Sequence, residues 1–211
     1  MLYNKTLSNT LLISNLKSYL TLAEDNLKLL EQQNNRLYKR IEENAGLDDW
    51  SDESSHLNNI DWLLLNSIYV TMYSSFEHFL FKVTQMVESK SGTRILLKHF
   101  GGHGILEKYV NYIFLVGGLS SPDKGLHPWD KITQHQNIRN LLVHNGGIMM
   151  DNIGKPIEKH KCYSFLKTNQ VTMLGSLGMI RICNLKLLET FVADVLAVSK
   201  SIVTEYNIMY K

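Results

Sequence analysis

Proline is nearly absent from this chain of 211 residues: Pro122, Pro128 and Pro156 are the only three, and the first 121 residues have none. Proline removes a backbone donor and clashes with the preceding helical turn. A stretch that long without it points to an all-α fold. Cysteine is as scarce. Cys162 and Cys183 are the only two; they share no close metal-ligand spacing, and two isolated cysteines in a chain of this size argue against a secreted disulfide framework. Neither sign of charge dominates. Twenty-two Lys and Arg against twenty Asp and Glu leave a formal net charge of +2, which gives no support to a broad electrostatic grip on nucleic acid. Any such contact has to come from a local basic cluster, or from one doubled across a dimer. Long hydrophobic runs are missing as well. The opening segment Met1–Thr6 leads into apolar positions interrupted by Ser8, Asn9, Ser14 and Asn15, with no continuous signal-peptide core and no span for a bilayer. The expectation is a soluble cytoplasmic protein, without membrane partners, folded as a single domain over residues 1–211.

What is present is helical periodicity. From about Asn4 to Glu43, Ile13, Leu16, Leu20, Ala23, Leu27, Leu30, Asn34, Leu37 and Ile41 step by threes and fours. This is a heptad-like seam against another long helix, with Asn34 as a polar interruption that could fix register. Gly46 and the acidic Asp48–Glu53 stretch are expected to form a loop. A second long helix is predicted from about Leu57 to Ser89. One stripe runs through Ile60, Leu64, Ile68, Met72, Phe76 and Phe79, and a second through Trp62, Leu65, Tyr69, Tyr73 and Leu80. A helix apolar around so much of its circumference is central or lies at an interface. Shorter helical pieces are expected near Arg94–His99 and Ile105–Val116, then a loop from Gly117 to Pro128. Trp129–Val143 reads as a helix of about four turns, opened by Pro128 and stopped by Asn145-Gly146-Gly147. One small β-hairpin is expected between Gly147 and Asn169, and a last helix from Ser176 to about Tyr206 with Leu177, Ile180, Leu187, Leu188 and Phe191 facing inward.

The Trp129–His144 helix carries the candidate chemistry. Arg139, Asn140 and His144 cluster in its final turn and a half. Asn140 and His144, four apart, share a face, whereas Arg139 and His144 lie about 140° apart around an ideal helix. A long arginine side chain or a loosened last turn could still bring guanidinium and imidazole to one phosphate. Metal-independent RNA cleavage needs a base for the ribose 2′-hydroxyl, an acid for the 5′-oxygen, and positive charge at the phosphorane oxygens. Histidine does either proton transfer near neutral pH. Arginine stays charged and matches phosphate oxygens with a planar fork. Asn140 can hold a phosphate oxygen or orient a neighbour.

The string Arg139-Asn140-Leu141-Leu142-Val143-His144, followed by Asn-Gly-Gly on a late helix of an all-α chain, resembles the HEPN superfamily motif of Arg, four to six residues, then His. Ser74-Ser75-Phe76-Glu77-His78-Phe79-Leu80 resembles the family's acidic residue inside an aromatic-rich helix. The resemblance implies an antiparallel helical bundle that forms a homodimer with two Arg–His motifs facing one cleft. It also implies an endoribonuclease of the toxin, abortive-infection or phage-defence class, with RNA as substrate, no cofactor, and a cognate antitoxin or defence-system partner. One branch of the family has a modified Tyr two residues after the His; Gly146 stands there, so that regulation is not supported.

Arg139, Asn140, His144 and Glu77 are thus the candidate catalytic residues, with His135, Lys131 and Tyr73 as candidate RNA contacts. Each has a plainer reading. Cations at a helix C-terminus stabilise it, and Glu77 fits a structural salt bridge, for instance to Arg139, as well as catalysis. His135 is more often a surface residue than a groove lining. Tyr73, with Tyr69 and Phe76, sits at a spacing that more often means core than base stacking. His99 and His103 are not read as a metal site, because Gly101-Gly102 breaks the helix that would align them and no carboxylate or cysteine accompanies them. The competing functional reading is a catalytically silent HEPN module that binds RNA or a protein.

Overall fold

The computed structural model describes residues 6–43, 51–101, 104–121, 129–150 and 156–211, with residues 51–58 described for their backbone alone. The fold class is all-α: among the described residues helix predominates and the strand content is one tiny two-stranded sheet. The helices are α1 (Thr10–Glu43), α2 (Ser51–Lys90), α3 (Ile105–Leu115), α4 (Trp129–His144), α5 (Tyr163–Thr168) and α6 (Lys186–Met209). Strands β1 (Thr172–Leu174) and β2 (Met179–Arg181) form the sheet.

The chain divides into two compact units, each assembled from separated segments. The first comprises residues 1–17, 72–136 and 191–211, and the second residues 18–71 and 137–190. In the first unit an aromatic cluster forms the core. Phe76 of α2 lies 6.4 Å from Trp129 of α4 and 6.5 Å, edge to face, from Phe191 of α6, with Tyr73 5.9 Å from Phe191. Aromatic pairs at such distances favour tilted and edge-on geometry because ring faces are negative and edges positive. The unit's N-terminal strap is fastened to α6: the Leu7 N–H donates to Asn207 Oδ1 (3.0 Å), and Asn207 Nδ2 donates back to the Leu7 carbonyl (2.9 Å). In the second unit the hairpin is tied to α2 and to the end of α4, as described below.

The sequence periods reappear as burial. On α1, Leu16, Ala23, Leu30 and Leu37 are buried while Ile13, Leu20, Leu27, Asn34 and Ile41 are half-buried, two rows each repeating every seven residues. The helix starts later than Asn4. Residues 6–9 are non-helical, the Asn9 carbonyl accepts the first helical bond from Ile13, and Ser8 Oγ accepts from the Thr10 N–H, an N-terminus capped by short polar side chains. On α2 both predicted stripes are buried from Leu65 through Leu80, while Ile60, Trp62 and Leu64 at their start are half-buried. This helix begins at Ser51, so Ser51-Asp52-Glu53 belong to it and not to the expected loop; Gly46 and Asp48–Trp50 lie outside the described residues, as does Pro128. The Arg94–His99 piece is reduced to one 3-10 turn, Leu97–His99.

Two expectations are corrected at the C-terminal end. The hairpin lies at 172–181, after the predicted interval, where the described residues form a 3-10 turn at Ile157–Lys159 and α5. The last helix starts at Lys186, not Ser176. Gly175 (φ +68°) and Gly178 (φ +66°) bracket a tight turn in which the Gly178 N–H donates to the Gly175 carbonyl. Left-handed conformations at both glycines cannot be helix, and they reverse the chain into two strands paired Thr172–Arg181, Met173–Ile180 and Leu174–Met179. Asn184 Oδ1 then accepts from the Lys186 N–H at 2.9 Å, which caps the start of α6.

Candidate functional site

On α4 the buried positions are Trp129, Ile132, His135, Ile138 and Leu141, one every third residue. That leaves Arg139 and Asn140 half-buried on the flank and His144 exposed at the end. Arg139 Nη1 donates to Asn140 Oδ1 at 3.1 Å and lies 3.4 Å from His144 Nε2. The 140° separation on the helix surface is thus bridged by the length of the arginine, whose guanidinium is drawn across by the adjacent amide. A guanidinium only donates, so in this contact the ring nitrogen can serve only as acceptor, and the roles follow the tautomer of the imidazole. The arrangement sets an imidazole nitrogen beside a permanent cation at an exposed helix end.

The helix stops abruptly behind this pair. Gly146 (φ +59°) and Gly147 (φ +79°) take left-handed conformations, and the Leu141 carbonyl accepts from the N–H groups of both Asn145 (3.1 Å) and Gly147 (2.9 Å). The Gly147 carbonyl accepts from the Ile180 N–H at 2.8 Å, and Ile148 bridges Met179. The stop is therefore held by β2 and is not a frayed end.

The other half of α4, in the first unit, carries a different constellation. His135 is wholly buried; its Nε2 lies 3.2 Å from Asp194 Oδ2 on α6, and its ring meets Phe191 edge to face at 5.0 Å. Lys131 Nζ reaches the second Asp194 oxygen at 3.4 Å. Burial pushes the His135 imidazole below its usual range, although the hydrogen bond and charge of Asp194 pull the other way. A neutral ring donating from Nε2 to a carboxylate that Lys131 neutralises satisfies all three groups without a naked buried charge. His135 is neither surface nor groove, and as a candidate RNA contact it is withdrawn, since no ring edge reaches solvent. Tyr73 is withdrawn for the same reason: it is fully buried against Phe191. Lys131 keeps a half-exposed ammonium but spends it on Asp194. Glu77 is half-buried on α2; its charge adds to burial in raising the Tyr109 phenol above its usual range. The structure brings Arg139, Asn140 and His144 together, and separately Lys131 and His135.

Sequence reasoning missed Asp194. Its signal was available: the residue occupies a core register of α6, three after Phe191 and four before Val198, where an acid needs a buried partner. It also missed Arg181, whose guanidinium sits 4.7 Å over the Trp62 ring of α2 in the second unit. Among the described residues no group of three or more His, Cys, Asp or Glu side chains is placed to hold a metal ion, and no helix is long and apolar enough to cross a membrane; His103 lies outside those residues. Compared with known proteins, the chain matches no family model, no curated protein and no solved structure.

Proposed function

We propose that this chain is a metal-independent endoribonuclease of the HEPN type, working through Arg139, Asn140 and His144. The observation that carries the reading is one guanidinium nitrogen, Arg139 Nη1, at 3.1 Å from Asn140 Oδ1 and 3.4 Å from His144 Nε2 at an exposed helix end. In this reading His144 Nε2 takes the proton of the ribose 2′-hydroxyl. The 2′-oxygen attacks the adjacent phosphorus, the bond from phosphorus to the 5′-oxygen breaks, and an acid protonates that oxygen. Arg139 swings from the imidazole to the phosphorane oxygens, where its charge counts most, and Asn140 positions the guanidinium. One exposed histidine serves one proton transfer. His135, the other histidine of α4, is closed to solvent, which supports a homodimer in which His144 of a second copy supplies the acid. A cytoplasmic toxin or phage-defence role, with an antitoxin or defence-system partner restraining it, belongs to the same reading.

The test is purified full-length chain with assorted RNAs in EDTA, beside His144→Ala. Cleavage is expected to survive EDTA, to leave a 2′,3′-cyclic phosphate or 3′-phosphate, and to fail where the residue 5′ to the cut carries 2′-deoxyribose. Metal dependence, cleavage of DNA, or a folded His144→Ala protein with undiminished cleavage overturns the reading. A wild-type chain that binds RNA without cutting it assigns the silent module instead.

A further inference from the structure

We propose that Arg181, seated on the Trp62 ring, is a phosphate-binding residue for the RNA strand that enters at the Arg139–His144 end; the proposal rests on the ribonuclease reading above. Three residues on one face of α2 are committed to placing this cation. Trp62 provides the ring, 4.7 Å from the guanidinium carbon. Asn59, one turn earlier, accepts from Trp62 Nε1 at 3.2 Å and holds the ring in orientation. Asn66, one turn later, brackets Arg181 on the strand: its Nδ2 donates to the Ile180 carbonyl (3.4 Å), and its Oδ1 accepts from the Ile182 N–H (3.2 Å). Residues three and four apart share a helix face, so the arrangement is a single cradle with the backbone fixed on both sides of one side chain.

What the cradle holds is, among the described residues, a charge without a counterion. Among the described residues the Arg181 guanidinium has neither a hydrogen-bond acceptor nor an ion-pair partner, and its Nε is buried without one. Arginine on an aromatic face keeps its donors in the plane of the fork, pointing outward from the ring, where they match the oxygens of a phosphate. A cation–aromatic stack that merely clipped the hairpin to α2 would be served as well by an apolar pair, without the unmet donors.

The placement ties this cation to the proposed chemistry. Ile180, the preceding residue, donates to the carbonyl of Gly147, which stops α4 three residues after His144. Summed along chain and ladder, no more than about 20 Å separates the Cα atoms of His144 and Arg181. A single strand lying over several nucleotides covers that distance, as such strands do on other binding surfaces. The near-neutral chain as a whole cannot hold RNA by bulk charge, so a placed arginine next to the cutting site is what the affinity requires.

The experiment reads binding and cleavage separately. Full-length His144→Ala, which keeps the probe intact, is titrated with a fluorescein-labelled mixed-sequence single-stranded RNA over a range of salt concentrations, with and without Arg181→Gln. The second substitution is expected to weaken binding about tenfold and to reduce the slope of log affinity against log salt by about 0.7, one phosphate contact. Arg181→Lys, which keeps the charge and guards against a folding artefact, retains the slope with intermediate affinity. A folded Arg181→Gln protein with unchanged affinity and slope overturns the proposal, and so does one that melts earlier but binds equally well, because it makes the stack a structural clip. A wild type that shows no RNA binding overturns it too. If the Arg181 effect on binding holds while wild-type protein cuts nothing, the subsite stands and the ribonuclease reading falls. If wild type cuts and Arg181→Gln leaves KM unchanged, the reverse follows.

Discussion

The two histidines of α4 lie on one continuous helix and live under opposite rules. His135 has no exposed surface, a carboxylate partner on α6 and an aromatic edge contact. His144, at the far end, is exposed and meets a guanidinium that can only donate to it. The first half of the helix joins the aromatic core of one unit, and the second half belongs to the other unit. A buried, satisfied histidine is there for stability, since changing its proton inventory is costly. An exposed one beside a cation has room for a substrate, which is what the proposed ribonuclease reading asks of it. The difference teaches that residue type and even shared helix are poor guides to role; partners and exposure assign it.

The largest expected effect tests the reactive end. His144→Ala should lower RNA cleavage by about two to four orders of magnitude, and Arg139→Ala by a similar factor, with thermal melts unchanged because both residues flank the buried stripe. Arg139→Lys should not rescue, since a point charge cannot bond Asn140 and face His144 in the way a planar fork does. If either variant unfolds the protein, the comparison between the two histidines collapses.

His135→Ala should do the reverse. It leaves a cavity beside Phe191 and strips Asp194 of one of its two partners. The expected cost is about 3 kcal/mol in urea unfolding. The pH dependence sharpens the contrast. Because the folded value of His135 lies below its ordinary value of about 6.5, the unfolded chain binds more protons between the two values and stability rises with pH there. The contribution is complete above about pH 6.5 and is lost as pH falls below it. His135→Gln, which keeps an N–H donor toward Asp194, should flatten the fall in urea midpoint between about pH 6.5 and 5 relative to wild type. An unchanged pH profile would mean that His135 binds its proton equally in the folded and unfolded chain, and a steeper fall would mean that it is charged in the fold and the pair is an ion pair.

Asn140→Ala comes next. It removes one bond to a charged donor, and about a tenfold fall in kcat is expected with KM little changed. A rise in KM alone would make Asn140 a substrate contact and not a positioning residue.

Legibility followed the physics of each signal. Long apolar repeats with clean stops were readable: α3 and α4 begin where the pattern begins, and the heptads of α1 are rows of burial. Tyr73 was readable as core from spacing alone. The hairpin was not placed, because Leu177 and Ile180 continue the three-and-four spacing of Leu187, Leu188 and Phe191, and apolar spacing over a few residues does not separate strand from helix. The pair Gly175 and Gly178, set in a run rich in Val, Thr and Ile, was the better clue. The Arg139–His144 contact was out of reach of helical geometry, since it depends on where a long side chain is drawn by its neighbour Asn140. Arg181 on Trp62 joins residues far apart in the chain, and no local pattern announces such a pair.

The smallest expected effect concerns what keeps the reactive end sharp. Gly146 sits at φ +59° with nothing within 4 Å of the place a Cβ would occupy. Gly146→Ala therefore adds no clash, and its cost is the left-handed backbone alone, about 1 kcal/mol. Gly146→Asn should cost less, because asparagine visits that conformation readily. Since the stop is also held by the Gly147–Ile180 bond, cleavage by either variant should stay within a few-fold of wild type. Chemical denaturation of the two variants beside wild type reads the difference. Equal stability for alanine and glycine would show that residue 146 does not hold the left-handed turn in solution, and that β2 alone ends α4 behind His144.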